Sequence, residues 1–180
     1  MIPPVAAGSF NRDCITNNGM SGGPYMKKAG LRILGIFVAI TLGVGAQTST
    51  WSEDFAKSAD EAKTSGKFML LDFSGSDWCS WCKKLDKEVF GQNDFKEYAA
   101  AHLVTVLIDS PRSRTLNKET LQQNERLMQK YGIQGFPTII LLSPEGDMAG
   151  QTGYQYGGAE KYVAHLKEII ADYQKSKKTE

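Results

Sequence analysis

Two hydrophobic periods alternate along the chain from Ser52 onward. Over residues 52–63, Phe55, Ala59 and Ala62 fall at helical spacing, which predicts an amphipathic helix with Ser52 as N-cap and Thr64-Ser65-Gly66 as its stop. Phe68 to Phe73 is an apolar run of strand length, as in a strand covered on both faces. Ser74-Gly75-Ser76-Asp77 is a turn, and a helix is predicted from Cys79 to about Phe90 with Leu85 and Val89 on one face. Asn93 or Asp94 can cap a short helix to about Ala101, and residues 103–108 read as a second buried strand.

After a polar loop at residues 110–114, residues 117–131 are predicted helical, with Leu121, Leu127 and Met128 inward and Gly132 as the stop. Thr138 to Leu142 is a third strand, and Met148 to Thr152 can return beside it after a turn at residues 143–147. A last helix is predicted over residues 159–173, followed by a Lys-rich solvated tail. Strands alternating with helices predict an α/β domain with a central mixed sheet flanked by helices, occupying residues 47–180. There is no internal repeat.

The segment before this domain has a different character. Basic residues at Lys27, Lys28 and Arg32 precede an uncharged apolar run over residues 33–44, and Val44-Gly45-Ala46 places small residues before Gln47. Residues 26–46 therefore read as a cleavable secretory signal peptide. An uncleaved anchor is the alternative, but the run is short of the ~20 residues a membrane span requires. Residues 1–25 are rich in Pro, Gly and Asn and fit poorly before such a signal, so Met26 is the expected start and residues 1–25 a non-native or disordered stretch. A periplasmic or secreted location follows, where disulfides persist.

Charge changes the picture little. The 180 residues carry a net charge of +1. Loss of Arg12, Asp13, Lys27, Lys28 and Arg32 with the leader takes this to about −2. No basic cluster is interleaved with aromatics, so a nucleic-acid partner is not indicated.

The cysteines carry the candidate chemistry. Cys14 falls in the upstream stretch, which leaves Cys79 and Cys82 as a close pair at a predicted helix start. Unpaired N–H groups and the helix dipole stabilise a thiolate there, and the thiolate is the species that attacks disulfides. Cys79 is thus the candidate nucleophile and Cys82, one turn on, the resolving thiol. A purely structural bridge is the weaker reading, because it would close almost no loop. Zinc would need further ligands, and only His102 and His165 are available, in no paired spacing. Haem attachment would need His where Lys83 stands.

Through Leu70-Leu71-Asp72-Phe73, Trp78-Cys79-Ser80-Trp81-Cys82-Lys83 and Gly135-Phe136-Pro137-Thr138, the chain resembles the thioredoxin superfamily over about residues 52–173. It is most similar to exported thioredoxin-like proteins and to the periplasmic thioredoxin-like domain of thiol:disulfide interchange proteins. The resemblance implies that Pro137 is the family's cis-proline and that the Phe136 backbone pairs with a substrate strand. It implies that Trp78 packs beside the dithiol loop and that Asp72 is the buried acid assisting Cys82. Three departures stand out: a longer loop between Asp72 and Cys79, Ser80-Trp81 as the central dipeptide, and an extended stretch over residues 110–124. Trp81 is expected to shape the entrance to the dithiol. The usual first strand is not evident before Phe68.

The implied function is thiol:disulfide exchange on exported proteins, in the reducing direction. It requires no organic cofactor or metal, and turnover requires a membrane or soluble redox partner. The alternative is a non-catalytic peptide-binding module that keeps the dithiol as a redox-dependent clasp.

Overall fold

The computed structural model describes residues 51–179. The readings on residues 1–25, on the signal peptide at residues 26–46 and on Cys14 lie outside the described residues. The elements run α1 (Phe55–Ser65), β1 (Phe68–Ser74), α2 (Ser80–Leu85), a π turn (Asp86–Phe90), α3 (Asn93–His102), β2 (Leu103–Asp109), α4 (Lys118–Lys130), β3 (Thr138–Leu142), β4 (Met148–Thr152) and α5 (Gly158–Lys177).

The four strands lie in the order β2-β1-β3-β4. β1 is parallel to β2 and antiparallel to β3, and β3 is antiparallel to β4. Alternation along β1 divides its side chains between two cores. Phe68 and Leu70 join Leu85, Val89, Phe90, Phe95, Tyr162 and Leu166 beneath α2, α3 and α5. Met69, Leu71 and Phe73 join Ala62, Val106, Ile108 and Leu127 beneath α1 and α4. Helices on both faces explain why every residue of β1 is buried. By the same parity Asp72 points with Phe68 and Leu70, onto the face that carries α2.

Several expectations need correction. Ser52 is not the N-cap of α1; Asp54 is, its carboxylate accepting from the Lys57 N–H. Ser52 instead forms an isolated parallel bridge to Val106, with Ser52 N–H donating to Thr105 O at 3.0 Å and Leu107 N–H to Ser52 O at 2.8 Å. This single residue occupies the place of the first strand. Leu121 is not inward but 46% exposed; the buried positions of α4 are Asn124 and Leu127. The helix predicted from Cys79 to Phe90 widens after Leu85 into the π turn, closed by Gly91 N–H to Asp86 O at 2.7 Å. Gln92 precedes α3, and α5 continues through the Lys-rich tail to Lys177.

Candidate functional site

The site is built on the connection from β1 into α2. Gly75 O accepts from the Trp78 and Cys79 N–H groups at 3.1 and 2.8 Å, folding residues 75–79 into a tight turn. Gly75 is required by space: a Cβ there would sit 2.5–2.7 Å from Cε2, Cζ2 and Nε1 of the Trp78 indole. Cys79 is the N-cap of α2, with extended backbone (φ −77°, ψ 113°), and its sulfur accepts from the Cys82 N–H at 3.1 Å. Cys79 and Cys82 are both buried and joined in a disulfide, their Cα atoms 5.3 Å apart. The polarised N–H groups at the start of α2 therefore face the Cys79 sulfur.

The loop after β2 grips this turn. The Asp77 carboxylate accepts from the Arg112 N–H and from both the N–H and hydroxyl of Ser113. These bonds, the Ser113 hydroxyl first, pull its pKa down to about 2. Trp78 Nε1–H donates to Ser110 O at 2.8 Å, and the Arg112 guanidinium lies 3.9 Å from the Trp78 ring centroid. Buried Asp109 accepts from the Ser76 N–H and hydroxyl at 2.9 and 2.7 Å, and from Arg114 at 2.9 Å. Trp78 meets Phe136 edge-to-face, ring centroids 5.9 Å apart, and the Phe136–Pro137 peptide is cis.

Beneath the dithiol lies a cavity of about 280 Å³, lined by Asp72, Ser74, Ser76, Cys82, Lys83, Asp86, Trp51, Phe90 and Leu107. Asp72 is buried, and its Oδ1 has no hydrogen-bond partner among the described residues. Burial pushes its pKa from 3.8 up to about 8, and the negative charges of Asp86 and Asp109 add to the shift. Lys83 is tied across the mouth, its Nζ donating to Asp77 O at 2.7 Å.

Trp81, 47% exposed, lies 5.3 Å from Tyr154 and 6.4 Å from Tyr156, centroid to centroid. Lys84 Nζ sits 5.4–5.5 Å from all three rings and 3.8 Å from Glu88. The Tyr154 hydroxyl donates to Glu88, which chiefly raises its pKa to about 12. His102 meets Tyr98 at a tilt, ring centroids 4.8 Å apart, and His165 hydrogen-bonds Thr152 at 3.0 Å.

A family model described as a thioredoxin-like domain matches residues 55–170. The chain belongs to the thioredoxin-like family. This thioredoxin-like chain is 32% identical over 130 residues to the disulfide bond reductase DsbH of Chlamydia pneumoniae, covering 72% of the chain and 78% of that relative. A solved DsbH oxidoreductase superposes with a TM-score of 0.67 at 30% identity, covering 74% of the chain and 92% of that structure. A thiol:disulfide interchange protein DsbD from Pseudomonas sp. (strain JR1 / K1) is 31% identical over 90 residues, which is 48% of the chain but 14% of that longer protein. The thioredoxin-like chain is thus homologous to disulfide bond oxidoreductases and carries its Cys-x-x-Cys pair at Cys79 and Cys82.

Within it, Cys82 and Asp72 share one cavity, and Trp78 and Phe136 share one contact, while Trp81 turns toward Tyr154 and Tyr156. Sequence reasoning passed over Asp86, Arg112 and the Tyr154–Tyr156 pair. Asp86 had a usable signal, since it lies four residues after Cys82 and so on the same helix face. Arg112 and the tyrosines had none, because their positions depend on long-range packing.

Proposed function

We propose that this protein is a disulfide reductase of exported proteins, re-reduced by a separate membrane or soluble electron donor. The observation that carries the proposal is the Cys79–Cys82 pair at the start of α2, with Cys82 opening onto the cavity that holds Asp72. In the reduced protein the Cys79 thiolate attacks one sulfur of a substrate disulfide, and the other sulfur leaves as a thiolate. Asp72, whose ionisation is held near neutral pH by burial, accepts the Cys82 proton through the cavity. The Cys82 thiolate then attacks Cys79 Sγ, releases the second substrate thiol and forms the Cys79–Cys82 disulfide. The substrate gains two electrons and the dithiol loses two.

Pro137 and Phe136 present the substrate strand beside Trp78, and Trp81 borders the entrance. The reducing direction is favoured by the similarity to a reductase, and an exported location by the leader at residues 26–46. The test is the equilibrium reduction potential of the chain from Gln47 in dithiothreitol buffers, together with trapping by Cys82→Ala. A potential near −270 mV or lower, with exported proteins captured on Cys79, is the expected result. A potential near −120 mV would make the protein an oxidant. No exchange at all, with partner binding retained in Cys79→Ser, would make it a binding module.

A further inference from the structure

Around the dithiol the charged groups differ in how far they are already engaged. The Asp77 carboxylate is filled by the Arg112 and Ser113 groups described above. Glu88 is shared by Tyr154 and Lys84. Lys83 is held by the Asp77 carbonyl, and Arg114 by Glu53 and Asp109 at 2.8 and 2.9 Å. Asp86 lines the cavity below the dithiol. Among the described residues, the Arg112 guanidinium has no carboxylate within ion-pair distance. It is exposed and lies over the ring of Trp78, 3.9 Å from its centroid; Trp78 is the residue before Cys79, and its ring also touches Phe136 before Pro137.

Contact with the ring restrains this guanidinium before any partner arrives, so less side-chain freedom remains to be lost on binding. A planar fork with free donors matches a carboxylate. A positive group at this rim also contrasts with a domain whose net charge is about −2.

We propose that Arg112, stacked on Trp78, is a specificity-determining residue that selects substrate segments with an Asp or Glu beside the reacting cysteine. The inference rests on the disulfide-exchange reading above. The carboxylate pairs with the guanidinium while the cysteine sulfur lies at Cys79, so the docked complex and the mixed disulfide are both favoured over those of neutral or basic segments.

The test uses synthetic peptides with one disulfide whose neighbouring residue is Glu, Gln or Lys. Rate constants for their reduction are compared between the reduced protein and Arg112→Gln, which cancels the peptides' own reactivity. The Glu-to-Gln rate ratio is expected to be about three- to fivefold higher with Arg112 than with Gln, as for an exposed ion pair. Arg112→Lys should retain only part of the preference, because an ammonium keeps the charge but neither the planar stack nor the fork, and ~0.5 M salt should abolish it. Should Arg112→Gln fail to fold, Arg112→Met, which keeps the side-chain packing on Trp78 without the charge, takes its place in the comparison. Equal ratios in both proteins, or a Glu preference indifferent to salt, overturn the assignment and leave disulfide reduction standing. Failure to reduce any peptide overturns both.

Discussion

Replacing Asp72 by Asn keeps the side-chain shape and removes one buried charge. An unfolded Asp ionises near 3.8 and the native Asp72 near 8, because burial in the sheet face disfavours its charged form. Between those values the native state holds a proton that the unfolded state has released, so wild-type stability falls as pH rises from about 4 to 8 and then levels off. At about 1.4 kcal/mol per pH unit, the displacement from 3.8 to about 8 sets a limit of about 6 kcal/mol. Water admitted to the cavity screens part of this, so we expect Asp72→Asn to be ~2–4 kcal/mol more stable than wild type at pH 9 and nearly equal at pH 4. Urea unfolding of the disulfide forms at pH 4, 6, 8 and 9 measures the difference directly. A gap that does not widen with pH would refute the reasoning, whatever its size. On the proposed mechanism the same variant should also slow resolution of the mixed disulfide by Cys82, because it removes the group that would accept the Cys82 proton.

The other predictions concern neighbours of the dithiol. Gly75→Ala should displace the Trp78 indole, cost about 1–3 kcal/mol and change the near-UV circular dichroism. Asp77→Asn should speed amide exchange at Arg112 and Ser113. Because the Asp77 pKa is lowered to about 2, its contribution is present above pH 4 and lost only as pH falls toward 2, which exchange rates at pH 2–6 would show. Phe90→Ala removes a buried ring that contacts Trp51, Phe95 and Tyr162, and should cost about 3–5 kcal/mol in chemical unfolding.

Much of this was legible along the chain because it rests on local pattern. The apolar run of β1, the Gly132 stop with φ 61° and the β3–β4 return all follow from spacing and turn residues. Even the face of Asp72 follows from strand parity with Phe68 and Leu70. What escaped depends on partners distant in sequence. Ser52 resembles a cap because a one-residue strand leaves no hydrophobic run; only the edge of β2 identifies it. Leu121 looked inward because it is apolar, yet it lies about 120° around α4 from Leu127. Asn124 takes the buried place because it donates to Asp109 O at 2.9 Å. The Tyr154–Tyr156 wall became visible only once β4 and the segment after it met α2.

The π turn at residues 86–90 changes how this helix can vary in length. It uses five residues where an α-helical turn needs about four. Its exposed members, Asp86, Lys87 and Glu88, precede two residues, Val89 and Phe90, that must both reach the core. Deleting Lys87 would place Phe90 four residues after Leu85, back in α-helical register with both ends of the core contact kept. The segment thus carries a spare residue, and shortening by one is a change it can absorb.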